Sequence, residues 1–185
     1  MVEVLDDRRA INRTIYVLDS LHDALSPQEF GRAMQRVLAC VFQAQGFLVV
    51  QNAVGVPDFT ATGKDAGRAL AVEVKTCEGS RVSLTQRDLD GVRVSGQTGV
   101  LAVLVFPDRT PRWLLISADT LSARAWLMRH LAAKPQVDVG FGVSDVFYRV
   151  VGSLQPEWVR GGPELEQWLD FQLHSFLASA AGRAG

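Results

Sequence analysis

The sequence predicts an α/β fold in which helices flank a mixed β-sheet. Two segments with helical spacing of apolar residues come first, and three short segments typical of strands follow them. A further helical segment then leads into the continuous apolar run 99–106, which is typical of a strand covered on both faces. This order, α-α-β-β-β-α-β, favours a layered α/β architecture.

The two leading helices are predicted from periodicity and from end signals. Residues 4–25 carry apolar side chains close to helical spacing. The second helix begins with a capping box, in which Ser26 is the N-cap, Pro27 the first helical residue and Glu29 the third. Gly46 is expected to end it.

The strands are predicted at 47–50, 58–62 and 70–76. The last two are joined by a loop of hairpin length that contains Gly63 and Gly67, so we expect them to be antiparallel. A second capping box, Ser83 to Gln86, predicts the start of the next helix. Further along, the patterns predict a strand at 113–116, a helix at 119–133, one or two β segments at 137–151 and a last helix from Gly162–Pro163.

Composition narrows the classes of protein. The 185 residues are 48% apolar and 21% charged, which is typical of one globular domain. The net charge of −1 provides no overall basic field, so any nucleic-acid surface must be local. The N-terminus has no apolar signal-peptide region, and no run approaches the length of a membrane span, so we expect a soluble, cytoplasmic protein without membrane contact. The two cysteines and three histidines show neither a disulfide framework nor zinc-ligand spacing.

Three charged residues stand where a structural strand does not need them. Side chains alternate along a strand, so Glu73 and Lys75 share one face of an otherwise apolar segment. Asp58 opens the neighbouring antiparallel strand and can bring a second carboxylate. The main-chain carbonyl of Val74 is a further oxygen donor. Carboxylates and carbonyls are suitable ligands for Mg²⁺, although a Glu-x-Lys pair alone is often only a solvated ion pair.

This pattern resembles the PD-(D/E)xK nuclease superfamily, whose fold is called restriction-endonuclease-like. The closer likeness is to archaeal Holliday-junction resolvases and covers roughly residues 26–106. It rests on five features, namely Gly55 ahead of the Pro57–Asp58 pair, the Glu73-Val74-Lys75 strand, the helix with Glu29, the helix with Gln86 and the apolar strand 99–106.

The resemblance implies a three-layer fold with a nuclease core at 26–116, an N-terminal helical extension at 1–25 and a C-terminal α+β extension at 117–185 packed on the same domain. It implies Mg²⁺ as the cofactor, with Mn²⁺ as a substitute. Asp58 and Glu73 would be metal ligands and Lys75 the catalytic lysine. Glu29 would be an accessory acid and Gln86 a site residue, although a helix-capping role explains each of them equally well.

The resemblance also implies DNA as the partner, and two-strand cutting favours a homodimer. Candidate DNA contacts are the basic residues around the predicted site: Arg81, Arg87, Arg93, Lys64 and Arg68. The expected function is that of a metal-dependent DNA endonuclease. The first hypothesis for its substrate is branched DNA such as a Holliday junction. The alternatives are a restriction or repair endonuclease, a non-catalytic DNA-binding or assembly protein on this fold, and an unrelated α/β protein with an exposed ion pair.

Overall fold

The computed structural model describes residues 2–52, 57–64, 69–77, 80–94 and 96–182, without the side chains of residues 2–7. The elements are, in chain order, α1 (Val2–Ala24), α2 (Pro27–Ala44), β1 (Leu48–Gln51), β2 (Phe59–Thr62), β3 (Ala69–Thr76), β4 (Arg81–Ser83), α3 (Gln86–Val92), β5 (Thr98–Val105), β6 (Arg112–Ser117), β7 (Ala125–Leu127), α4 (Met128–Ala132), α5 (Val143–Ser153) and α6 (Pro163–Ala181). Short 3₁₀ turns occupy Ala118–Thr120 and Pro156–Trp158.

The chain forms two compact units. The first contains Met1–Ala44, Pro107–Pro111 and Gly142–Gly185, and the second contains Gln45–Phe106 and Arg112–Phe141. The division into a core with two extensions, implied by the resemblance, stays a prediction. None of the helices in the described residues has the length and apolar character needed to cross a membrane.

The first unit is helical. Its helix α2 follows the predicted capping box, because the Glu29 carboxylate accepts a hydrogen bond from Ser26 N at 3.0 Å and Ser26 Oγ accepts one from Glu29 N at 3.4 Å. The apolar side of α2 is buried, as its spacing predicts. On another side, the Arg36 guanidinium donates to Glu166 at 2.7 Å and to Asp170 of α6. The helix ends before Gly46, whose φ of +82° favours glycine.

The second unit is built on a five-stranded mixed sheet with the order β1-β2-β3-β5-β6. The predicted antiparallel pairing of β2 with β3 is confirmed, with Phe59 opposite Val72. Strand β5 runs parallel to β3, and α3 lies in the connection between them. Residues 99–104 of β5 are buried, as the apolar run predicts. The predicted α/β class, a mixed sheet flanked by helices, is therefore confirmed.

Two predictions downstream of the sheet are wrong. The helix expected at 119–133 is instead a 3₁₀ turn, strand β7 and the short helix α4. Its buried apolar residues, Leu121, Trp126 and Leu131, are five apart, which is not helical spacing. Strand β7 pairs with β4, a short strand that the sequence analysis missed.

The β segments expected at 137–151 are wrong as well, because residues Val143–Ser153 form helix α5. Valine, phenylalanine and tyrosine favour strands, and their abundance suggested one. The buried positions, Val146, Phe147, Val150 and Val151, follow the i, i+1, i+4, i+5 spacing of a helix face. Here the periodicity predicted the structure better than the propensity did.

Helix α3 approaches the start of β5 very closely at Gly99. A Cβ atom at Gly99 would lie 2.6 Å from the Val92 carbonyl oxygen and 3.1 Å from Ala118 Cβ. Both contacts are shorter than van der Waals separation, and one is to main chain that cannot move alone. Glycine at position 99 is therefore what allows α3 to lie against the sheet.

We expect Gly99→Ala to lower the free energy of unfolding by about 1–3 kcal/mol, because the methyl group overpacks this contact. Denaturant unfolding measures the effect. The matched control is Gly152→Ala in α5, where the nearest atom is 3.7 Å away and alanine is the better helix former, so stability should be unchanged or slightly higher. Equal stability of Gly99→Ala and the native protein would contradict the close approach.

Candidate active site

Glu73 lies in the middle of the sheet and is only 4% exposed. Its strand β3 has β2 on one side and β5 on the other, so a carboxylate there has little access to water. Burial, and after it the nearby charges of Asp58 and Asp88, raise the pKa of Glu73 to about 7, even though the Lys75 ammonium opposes the shift. The sequence therefore places an acidic group where its ionised form is strongly disfavoured.

Asp58 is held next to this strand by main-chain contacts. Its carbonyl accepts a hydrogen bond from Asn52 N at 3.0 Å. Its Oδ2 accepts one from Val74 N at 2.7 Å. The hydrogen-bond ladder between β2 and β3 ends at the pair Phe59–Val72. Beyond this pair, the Asp58 side chain accepts the Val74 N–H in place of a strand carbonyl. Burial raises the pKa of Asp58, although the Val74 hydrogen bond and Lys75 oppose the shift.

The same contact orients the main-chain carbonyl of Val74. The N–H and C=O of one strand residue point toward the same edge of the strand. Since Val74 N donates to Asp58, the Val74 carbonyl is also directed to the side of β3 on which Asp58 lies. The structure thus brings the Asp58 carboxylate close to two oxygen donors of β3, the Glu73 carboxylate and this carbonyl.

Lys75 lies between two carboxylates. Its Nζ is 2.8 Å from Glu73 Oε1 and 3.1 Å from Asp88 Oδ1. Burial alone would lower the pKa of Lys75, but the hydrogen bonds and charges of Glu73 and Asp88 outweigh it, and the pKa is raised. Lys75 is therefore an ammonium group at neutral pH.

Asp88 is the site residue that the sequence analysis missed. The capping box predicted at Ser83 and Gln86 is wrong, because Ser83 is still part of β4 and pairs with Ala125. The N-cap is Thr85, whose Oγ1 accepts from Asp88 N at 3.2 Å, while Asp88 Oδ2 accepts from Thr85 N at 2.8 Å. Threonine followed three residues later by an acid is the same type of signal, so Asp88 could have been recognised as a first-turn residue.

Asp58, Glu73, Lys75 and Asp88 are called the carboxylate cluster below. Glu73 Oε2 is buried and has no hydrogen-bond partner among the described residues, which is unfavourable for a carboxylate oxygen. No group of three or more histidine, cysteine, aspartate or glutamate side chains in that part of the chain is arranged to hold a metal ion. Magnesium often takes only one or two carboxylates and keeps several waters, so Asp58, Glu73 Oε2 and the Val74 carbonyl fit such an ion.

Glu29 lies in the first unit, where both its carboxylate oxygens have partners. Oε1 accepts from Gly162 N at 2.6 Å, and Oε2 accepts from Ser26 Oγ at 2.7 Å. The hydrogen bond from Gly162, followed by those from Ser26, lowers the pKa of Glu29 to about 2. Through these contacts, Glu29 connects the start of α2 with the start of α6. Its role as an accessory acid stays a prediction.

Gln86 is the first residue of α3, and its Nε2 donates to Asp90 Oδ1 at 2.7 Å. Its role in the site also stays a prediction. Of the predicted DNA contacts, Arg81, Arg87 and Lys64 are exposed. The guanidinium of Arg93 donates to the carbonyls of Ala118 and Leu121, which gives it a structural role. Arg68 lies outside the described residues, as does Gly55 of the sequence motif.

Comparison with known proteins finds similarity among solved structures only. No protein-family model matches the sequence, and no curated protein is significantly similar to it. Among solved structures, the chain is similar to Hjc, a Holliday junction resolvase from the archaeal hyperthermophile Archaeoglobus fulgidus, with a TM-score of 0.45 and 16% identity over 57% of this chain and 89% of the resolvase. Activity and substrate depend on the residues of this chain.

The raised pKa of Glu73 predicts a pH-dependent stability. An acid whose pKa is about 7 when folded and 4.5 when unfolded contributes stability below pH 4.5 that is lost as the pH rises through 7. In metal-free buffer, Glu73→Gln should therefore become more stable than the native protein over this range. The expected gain is about 3 kcal/mol, at 1.36 kcal/mol per pKa unit.

Chemical unfolding at a series of pH values between 4 and 8.5 measures this difference. Glu157→Gln, which alters an exposed glutamate of the other unit, is the matched control and should give a small difference that does not vary with pH. If the stability difference between Glu73→Gln and the native protein also does not vary with pH, the pKa of Glu73 is not raised and the prediction is wrong.

The lowered pKa of Glu29 predicts the opposite dependence. Its contribution to stability is present above the unfolded pKa of 4.5 and is lost as the pH falls toward 2. Glu29→Gln should lower the melting temperature at neutral pH, because it removes the charge that the Gly162 and Ser26 donors stabilise, and the difference should shrink in acid. Glu164→Gln, at an exposed position in α6, is the comparison. Identical melting curves for Glu29→Gln and the native protein at pH 7 would contradict the capping role.

Proposed function

We propose that the protein is a divalent-metal-dependent endonuclease that hydrolyses DNA phosphodiester bonds at the carboxylate cluster. The observation that carries the proposal is the buried Glu73 carboxylate, which lies beside Asp58 and whose Oε2 has no hydrogen-bond partner in the part of the chain that the structure describes. A carboxylate with no ligand at this position only destabilises the fold, so its presence favours a function that uses its charge.

Asp58, Glu73 and the Val74 carbonyl would hold the ion, with Mg²⁺ as the expected metal and Mn²⁺ as its substitute. When bound, a divalent cation stabilises the charge that develops on a phosphoryl group and promotes attack by water. The two carboxylates provide the negative charge that attracts the ion. The rigid strand β3 orients the groups that bind it. Asp58 is oriented by Val74 N, and Glu73 is fixed by its burial.

Lys75 would stabilise negative charge on the scissile phosphate and orient the attacking water by hydrogen bonding. Its raised pKa keeps the ammonium form at neutral pH. An ammonium group donates hydrogen bonds but accepts no proton, so the structure favours this role over general-base catalysis. Cleavage would leave 5′-phosphate and 3′-hydroxyl ends.

The substrate proposed first is branched DNA, as the sequence resemblance implies, with restriction or repair cleavage as the second possibility. Arg81, Arg87 and Lys64 are proposed to contact the phosphate backbone, since they are exposed cations of the unit that carries the cluster. The predicted homodimer would place two such clusters in one particle, one for each strand.

We expect the purified protein to cut four-way-junction or plasmid DNA in the presence of Mg²⁺ or Mn²⁺ and to be inactive in a chelator. Asp58→Asn and Lys75→Met should each lower the cleavage rate by about 100-fold or more, because each removes a charged group at the reacting phosphate. Asp138→Asn, at an exposed loop position, is the control with the same change of charge and should cut normally. Absence of cleavage on all substrates, or cleavage that survives both substitutions, would contradict the proposal.

A further inference from the structure

Asp88 uses its two carboxylate oxygens for two different purposes. Oδ1 lies 3.1 Å from Lys75 Nζ, and Oδ2 accepts a hydrogen bond from Thr85 N at 2.8 Å. The second contact is half of the capping box that starts α3. One side chain therefore fixes both the first turn of the helix and the ammonium group of the neighbouring strand.

We propose that Asp88 is the positioning residue of Lys75 and keeps the ammonium in place when Glu73 uses its carboxylate for another ligand. The catalytic consequence rests on the proposed function, whereas the control of Lys75 by Asp88 does not. The present contacts show the arrangement, because Lys75 Nζ is shared between Glu73 Oε1 at 2.8 Å and Asp88 Oδ1 at 3.1 Å.

Lys75 needs such a second partner. A lysine side chain has four flexible carbon–carbon bonds, so holding it in one conformation costs conformational entropy. Glu73 is two residues away on the same strand and holds the ammonium from one side only. A cation on Glu73 Oε2 would offset the negative charge of that carboxylate and so weaken its attraction for Lys75 at Oε1. Asp88, from a different element, continues to hold the ammonium in that case.

Helix α3 is well fixed, so Asp88 is a firm anchor. Its residues Leu89 and Val92 are buried. At its C-terminal end, the Val92 carbonyl lies against Gly99, and the Arg93 guanidinium donates to the Ala118 and Leu121 carbonyls at 2.8 and 2.7 Å. The position of Asp88 is thus determined by the buried side chains of this short helix and by the contacts at its C-terminal end.

The charges of the cluster agree with this division of roles. Three carboxylates and one ammonium leave a formal charge of −2 when all are ionised, which one divalent cation would neutralise. Without Asp88 the cluster would carry −1, and Lys75 would neutralise Glu73 directly. Asp88 therefore allows the cluster to contain an ammonium and still attract a divalent cation.

The test measures the reactivity of Lys75 in the native protein and in Asp88→Asn. An asparagine has a single side-chain oxygen, so it can satisfy Thr85 N or Lys75 but not both, and it carries no charge. The metal-free proteins are treated with an amine-acylating reagent at pH values from 6 to 10, and modification of the Lys75 peptide is followed by mass spectrometry. We expect Lys75 of Asp88→Asn to react several-fold faster at a given pH, with its reactivity profile moved to lower pH.

Two substitutions on the same helix serve as controls. Thr85→Ala removes the hydroxyl half of the capping box and leaves the Asp88 carboxylate, so it should lower the melting temperature without changing Lys75 reactivity. Asp90→Asn makes the same change of charge two residues further along, where the partner is Gln86, and should also leave Lys75 unchanged. Asp88→Ser, which removes the carboxylate but keeps a polar residue in the first turn, gives the same test if Asp88→Asn does not fold.

A Lys75 profile in Asp88→Asn that coincides with those of the native protein and Asp90→Asn would overturn the proposal. In cleavage assays, Asp88→Asn should lower kcat by about tenfold relative to the native protein, with little change in KM. The alkaline limit of its activity should lie at lower pH than that of the native protein. The two proposals fail separately. If the native protein cuts no DNA but Lys75 reactivity responds to Asp88→Asn, the nuclease proposal is wrong and the positioning role of Asp88 stands.

Discussion

The burial of an ionisable carboxylate on a central strand is the constraint on which the rest of the second unit depends. Glu73 is almost inaccessible to water, and one of its oxygens has no hydrogen-bond partner among the described residues. A buried charge is tolerated only when other charges or ligands compensate it. Lys75 compensates Glu73 in part, and its own burial requires the second partner Asp88. In the carboxylate cluster, each charged residue thus compensates the next one, beginning with the buried Glu73.

The surrounding elements place the other charged residues of the cluster close to Glu73 and Lys75. The pairing of β2 with β3 stops early, which leaves Val74 N for the Asp58 side chain and turns the Val74 carbonyl to the same side. A parallel strand must be reached through a crossover connection, and α3 in that connection brings Asp88 to Lys75. Gly99 allows the helix to lie close enough to the sheet. The fold therefore positions the acids through main-chain contacts more than through side-chain packing.

Strong local signals predicted the sheet and three of the cluster residues, whereas contacts between distant segments decided the rest. The Glu73-Val74-Lys75 strand and the Asp58 hairpin follow from alternation and loop length. Asp88 was missed because an equally good capping signal stands two residues earlier, and only the pairing of Ser83 with Ala125 shows which one starts the helix. The same pairing explains why residues 119–133 are not one helix. Glu29 illustrates the limit further, since its contact with Gly162 joins residues far apart in sequence.

The central claim is that Asp58 and Glu73 bind a divalent cation. The most direct measurement is anomalous diffraction from crystals of the native protein soaked in Mn²⁺ at a pH above 7, where Glu73 is mostly ionised. We expect an anomalous peak at about 2 Å from Glu73 Oε2 and from an Asp58 carboxylate oxygen, the distance of an oxygen-bound ion of this size. A well-ordered cluster without such a peak at saturating Mn²⁺ would contradict the claim.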